Sequence, residues 1–188
     1  MLLEAPFTEE KIRQLNVGDM VEITGLIYTG RDAVHKYLAE GGQPPVDLTD
    51  GIIYHCGPVV VREKDRWVVK AAGPTTSIRE EPYQGDLIRR YRIRGVIGKG
   101  GMGPNTLKAC QEHAAVYFHA IGGAASLIAQ SVKEVVAVHK LEFGVPEAMW
   151  VIRVEEFPVV VTMDSHGQSI HQQVEAESQK KLVELIGV

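Results

Sequence analysis

Only two cysteines, Cys56 and Cys110, occur in the 188 residues, far apart and outside any Cys-x-x-Cys pair. They cannot by themselves hold a zinc ion or an iron-sulfur cluster. Free thiols buried in a core, in a protein of the reducing cytoplasm, are the expectation. There is also no basic excess. Twenty Lys and Arg against 24 Asp and Glu give a formal net charge of -4, which excludes a general attraction to nucleic acid or to an anionic membrane. The stretch Arg89-Arg90-Tyr91-Arg92-Ile93-Arg94 is a local exception, and it reads as a solvated helix end running into a strand. No apolar run approaches the roughly 18 residues of a membrane span, and no charged segment followed by an apolar one opens the chain like a leader.

The chain also lacks familiar catalytic punctuation. Its seven histidines are scattered, with no His-x-x-x-His pair, so no metal site is predicted. No Gly-x-Ser-x-Gly elbow supports acyl-enzyme chemistry. What is present is ordinary globular material, 45% hydrophobic and 23% charged, long enough for one domain covering residues 1–188.

Periodicity and punctuation predict a mixture of strands and helices. Thr8 to Leu15 reads as a short helix capped by Thr8, because Glu9 and Glu10 complement its free amides. Strands are predicted over Asp19 to Tyr28, Ile52 to Tyr54, Val59 to Arg62, Trp67 to Ala71, Gly95 to Ile97, Ala115 to His119, Val132 to Leu141 and Trp150 to Met163, the last broken at Pro158. Helices are predicted over Arg31 to Leu38, Gln84 to Tyr91, Asn105 to His113, Ala124 to Gln130 and, as an amphipathic closing segment, Val174 to Ile186. Strand, loop and helix alternate, so a single α/β domain with mixed parallel and antiparallel strands is the expected fold.

Three glycine-anchored turns carry the chemistry: Thr29-Gly30-Arg31-Asp32, Gly73-Pro74-Thr75-Thr76-Ser77-Ile78-Arg79 and Gly98-Lys99-Gly100-Gly101-Met102-Gly103. Each follows a strand-like run, so backbone amides and one cation from each can meet an anion at strand ends. Two guanidinium forks and an ammonium suit a dicarboxylate, and Thr75 and Thr76 lie beside them for proton work. A threonine serves as a base only where nearby cations stabilise its alkoxide, and Arg31 and Arg79 are the candidates for that field. Arg31 has an alternative reading as a structural ion pair with Asp32. His35, one helical turn after Arg31, either supports Arg31 or Asp32 from behind or faces solvent. The glycines at 98, 100 and 103 also satisfy Gly-x-Gly-x-x-Gly, which keeps open a non-catalytic anion- or nucleotide-binding module. Against it, the next strand offers no acid for a ribose, and Lys99 is not followed by Ser or Thr as in a P-loop.

These turns, with Ala120-Ile121-Gly122-Gly123-Ala124-Ala125 and Glu155-Glu156-Phe157-Pro158 downstream, resemble the β subunit of class I, iron-sulfur-dependent fumarate hydratase and of L-tartrate dehydratase over roughly residues 20 to 170. The resemblance implies a swivelling three-layer β/β/α domain, equivalent to the C-terminal half of single-chain members. It implies a cytoplasmic hydro-lyase of the tricarboxylic acid cycle, hydrating fumarate to malate, with tartrate dehydration as the alternative. Arg31, Arg79, Lys99 and Thr76 would bind the substrate, and Thr75 would be the base, with Asp32 and His35 behind them. No cofactor is expected on this chain. A 4Fe-4S cluster is expected on a partner α subunit, in a hetero-oligomer that is either one αβ unit or a homodimer of such units. After Arg79, the pair Glu80-Glu81 departs from the methionine and small or acidic residue found in many members.

Overall fold

The structure, a computed structural model, describes residues 1–187. Its elements in chain order are β1 (Leu2–Glu4), α1 (Glu9–Arg13), β2 (Met20–Thr29), α2 (Asp32–Ala39), β3 (Ile52–Tyr54), β4 (Val59–Glu63), β5 (Arg66–Ala71), α3 (Glu81–Tyr91), β6 (Gly95–Gly98), α4 (Pro104–His113), β7 (Val116–His119), α5 (Ala125–Ile128), β8 (Val132–His139), β9 (Met149–Met163) and α6 (Ile170–Ile186). Seven strands form one sheet in the order β1-β2-β3-β6-β7-β9-β8, and β4 and β5 form a separate hairpin. Because β2 also pairs with β9, the circuit β2-β3-β6-β7-β9 closes on itself. Closure removes the open edges those strands would otherwise present.

The strands β1, β2, β3, β6 and β7 are mutually parallel, whereas β9 runs antiparallel to β2, β7 and β8. Alternating residues of the parallel strands serve two cores. Ile52 and Tyr54 of β3, Ile97 of β6 and Val116 and Phe118 of β7 face the interior, together with Trp150, Ile152, Phe157 and Val161 of β9. Ile53, Val96 and Tyr117 face outward beneath Val34 and Leu38 of α2, Leu87 and Ile88 of α3 and Cys110 of α4. Both faces of these short strands are therefore buried, which is why they read as continuous apolar runs. The layers run helices, parallel half, antiparallel half, in agreement with the α/β expectation.

Three details depart from the sequence reading. Strand β9 runs unbroken through Pro158, which lies opposite Glu22 beside a register irregularity at Ile23 to Gly25. Such a site tolerates a residue with no N–H to donate. Thr8 takes the position before α1 without a side-chain capping bond, leaving Glu9 and Glu10 to complement the first turn. Helix α6 starts four residues earlier than expected, where the Ser169 hydroxyl accepts from the Gln172 amide, and none of its described residues is buried. Val174, Leu182, Val183, Leu185 and Ile186 are exposed, so its apolar stripe has no cover from the rest of the chain. No helix among the described residues is long and apolar enough to cross a membrane.

Candidate active site

Four parallel strands end on one side of the sheet, at Thr29, Tyr54, Gly98 and His119. The side beyond the carboxyl ends of parallel strands is where chain crossings leave room for ligands. The three predicted turns converge there.

Arg31 takes an extended backbone immediately before α2. Its Nε lies 3.2 Å from Glu147 Oε1, and the second Glu147 oxygen accepts the Ala33 amide at 3.0 Å. One carboxylate thus holds both the arginine and the first turn of the helix. Gly57 makes room for the guanidinium, since a Cβ there would sit 2.7 Å from Arg31 Nη1. The alternative reading of Arg31, an ion pair with Asp32, is not what forms. Asp32 instead accepts from Arg79 Nη2, because the 3₁₀ turn Ser77–Glu80 delivers Arg79 to the start of α2.

Thr75 is fixed at both ends of its backbone. Its amide donates to the His55 carbonyl at 2.7 Å, and its carbonyl accepts the Lys99 amide at 3.2 Å. Thr75 Oγ1 donates to the same His55 carbonyl at 3.0 Å, which leaves its lone pairs free to accept. Thr76 and Lys99 form a parallel bridge, and the Lys99 carbonyl accepts the Ser77 amide at 3.0 Å. The threonine turn and the glycine-lysine loop are therefore one ladder. Thr76 and Arg79 are exposed, while Arg31, Thr75 and Lys99 are half-buried.

The nucleotide reading of the Gly98 to Gly103 loop fails on chemistry. The amides that a phosphate would occupy at the start of α4 already serve the Glu81 carboxylate: Gly103 at 2.8 Å, Asn105 at 2.9 Å and Thr106 at 3.2 Å. Thr106 Oγ1 adds a fourth bond at 2.6 Å. A built-in carboxylate at a helix N-terminus does there what a phosphate would do.

Of the two readings of His35, support of Arg31 from behind is the one the structure follows, whereas sequence reasoning missed the other groups beneath the turns. His35 does not face solvent; it is fully buried, with Nδ1 2.9 Å from the Arg31 carbonyl and Nε2 2.9 Å from the Gln84 side-chain amide. His55 is equally buried, with Nε2 3.0 Å from the same Gln84 atom and Nδ1 2.9 Å from Ser77 Oγ. Tyr117 reaches Ser77 Oγ from β7 at 2.8 Å. The one signal for His55 was its place at the end of the apolar run Ile52 to Tyr54, the same position relative to a strand that the predicted turns occupy.

Glu80 adds a buried carboxyl, 3% exposed, whose Oε2 makes no hydrogen bond although His35 Nδ1 is 3.7 Å away. Burial, together with the neighbouring Asp32 and Glu147 carboxylates, pushes it from an ordinary 4.5 up to about 7, and Arg79 opposes the shift. A carboxyl held above its unfolded value contributes stability that is present below about pH 4.5 and lost as pH rises through about 7. Glu80→Gln, neutral throughout, is therefore expected to lose that dependence. At pH 8 it should unfold roughly 2–4 °C higher than the parent, the shift for about 1 kcal/mol in a domain of this size. Thermal scans from pH 4.5 to 8 check this, and parallel curves for the two proteins would refute it.

The cysteines do not fit a cluster. Cys56 lies in the interior core and Cys110 in the outer one, on opposite faces of the sheet, and burial pushes each thiol up to about 12. Among the described residues no three His, Cys, Asp or Glu are grouped to hold a metal ion.

The family model described as Fumarase C-terminus matches residues 1–174. A protein named "Putative fumarate hydratase class I" from Geobacillus stearothermophilus is 60% identical over 181 residues, covering 96% of this chain and 35% of that protein. The chain thus spans about a third of that relative. "Putative L(+)-tartrate dehydratase subunit beta" of Methanocaldococcus jannaschii is 42% identical, with 96% of each chain covered. L(+)-tartrate dehydratase subunit beta of Escherichia coli K12 is 38% identical, with 98% of this chain and 94% of that one covered.

Proposed function

Because the chain belongs to the Fumarase C-terminus family, we propose that it is the β component of a hydro-lyase that adds water reversibly to fumarate, giving malate. The observation that carries this reading is that the turns bearing Arg31, Thr75, Arg79 and Lys99 are bonded to one another at the carboxyl ends of the parallel strands, through Arg79 to Asp32 and through the ladder of Thr75 and Thr76 with Lys99. In this reading Arg31 and Arg79 each grip a substrate carboxylate, Lys99 adds a point charge, and Thr76 contributes a hydroxyl to binding. Thr75 takes the proton from the carbon next to the hydroxyl-bearing one in the dehydration direction and returns it on hydration.

An iron-sulfur cluster does not fit the thiols of this chain, so no step of its own residues is routed through one. The cluster and the acid that protonates the leaving hydroxyl are assigned to an α partner, which makes the working enzyme a hetero-oligomer. Support for fumarate over tartrate comes from the higher identity to the relative named for fumarate, 60% against 42% and 38%. Tartrate dehydration is the second reading, favoured by the two relatives named as its β subunits.

The test is anaerobic purification of the chain alone and together with a candidate partner carrying three well-separated cysteines. Alone, the chain is expected to hold no stoichiometric iron and sulfide and to hydrate no fumarate. With the partner, fumarate hydration should appear and exceed tartrate dehydration. Iron and sulfide on the chain alone would overturn the assignment of the cluster, and tartrate turnover without fumarate turnover would replace the substrate.

A further inference from the structure

The fully buried side chains of His35, Gln84, His55 and Ser77 run in an unbroken hydrogen-bonded line between the arginine turn and the threonine turn. Their proton inventory can be worked out from the partners alone. The Arg31 carbonyl only accepts, so His35 Nδ1 carries a proton. If His35 is neutral, its Nε2 is a lone pair, and the Gln84 atom 2.9 Å away has to be a donor. The same Gln84 atom is 3.0 Å from His55 Nε2. An amide nitrogen has two protons, one for each ring.

Placing the Gln84 carbonyl oxygen at that point instead would force both protons onto His35. It would also leave the amide nitrogen as a buried donor pair with no acceptor, as Gln84 Nε2 is in the assigned orientation. Oxygen and nitrogen of a side-chain amide are assigned from the network, and this network assigns the nitrogen to the histidines. The competing arrangement needs a His35 imidazolium balanced by Glu80, 3.7 Å away, at a site with no exposure. Burying such a pair costs more than its attraction returns unless the geometry is close and every other proton is satisfied. Burial lowers the affinity of both rings for a second proton, His55 down to about 3.

We infer that Gln84 is a positioning residue: its amide nitrogen donates to Nε2 of both His35 and His55 and locks each ring as the neutral Nδ1–H tautomer. His35 then donates to the Arg31 carbonyl and His55 to Ser77 Oγ, whose rotatable hydroxyl turns its own proton to the Tyr117 oxygen 2.8 Å away. The backbone of His55 continues the line, because its carbonyl receives both the amide and the hydroxyl of Thr75. One side chain of α3 thereby sets the spacing between the carboxylate-binding arginine and the candidate base. Its catalytic consequence rests on the hydro-lyase reading; its tautomers do not.

Two measurements test it. On the full chain with 15N-labelled histidine, long-range proton–nitrogen spectra between pH 5.5 and 8 are expected to show His35 and His55 neutral, with the proton on Nδ1. An Nε2–H tautomer or an imidazolium at either residue overturns the inference, whatever the chain catalyses. In the assembled enzyme, Gln84→Met, similar in length but without donors, is expected to lower kcat/KM about 10- to 10²-fold, the scale of a small misplacement of reacting groups. Gln84→Glu, which has at most one proton to donate, should restore neither the activity nor both tautomers. Parent-like kinetics in a folded Gln84→Met overturns the positioning role. An inactive parent assembly points instead to a failure of the hydro-lyase reading, which leaves the spectra to decide the inference.

Discussion

Replacing Thr75 with alanine in the assembled enzyme is expected to lower kcat by about 10²- to 10⁴-fold while changing KM little, because a proton-transfer group acts mainly in the transition state. Its hydroxyl proton points to the His55 carbonyl, an acceptor that cannot carry the proton away. As a base, Thr75 must therefore first lose that proton to solvent, and in the proposed mechanism the cations of the neighbouring turns stabilise the alkoxide that is left. Because the Thr75 amide and carbonyl are separately bonded to His55 and Lys99, alanine leaves the turn in place. The loss then reports chemistry and not collapse. Steady-state kinetics on an assembly with an intact cluster checks this, with Thr75→Ser as the control that keeps the hydroxyl. Near-normal turnover of Thr75→Ala would pass the role to Thr76 or to the partner.

Arg79→Lys should act on both constants, lowering kcat/KM about 10- to 10²-fold through a higher KM and a lower kcat. A hydrogen bond to a charged group contributes about 1.5–3 kcal/mol, and lysine keeps the charge but loses the planar fork. The competing role for Arg79 is the ion pair with Asp32, in which both side chains are well exposed, at 56% and 40%. An exposed pair contributes at most about 1 kcal/mol to stability and nothing to turnover. If Arg79→Lys left KM and kcat untouched and merely shifted the melting temperature, the ion pair would be its whole function.

The turns were legible in the sequence because glycine, proline and threonine next to a cation constrain local backbone and chemistry within a few residues. The end of each parallel strand was legible for the same reason. What sequence did not reveal depends on partners far along the chain. The sequence offers Arg31 its neighbour Asp32 as a carboxylate, whereas its partner is Glu147, 116 positions away and brought in by the segment before β9. Gln84 looked like an ordinary polar residue of a helix, and His55 was one scattered histidine among seven. Only the closed arrangement of strands makes them neighbours. Pro158 misled because a lone proline argues for a break, and the register irregularity that absorbs it belongs to another strand.

That closed circuit of strands also sets an order of events during folding. The pairs that complete it join Met20 to Val160 and Tyr28 to Val151, contacts that span 140 and 123 residues. Loop-closure entropy must be met before such pairs return anything, so topologies rich in distant pairing fold slowly. On the ribosome, β2 leaves the exit tunnel long before its antiparallel partner is synthesised, and one of its edges stays open until β9 arrives. Chaperone dependence and aggregation during rapid expression are therefore to be expected of chains arrested before residue 149, where β9 begins.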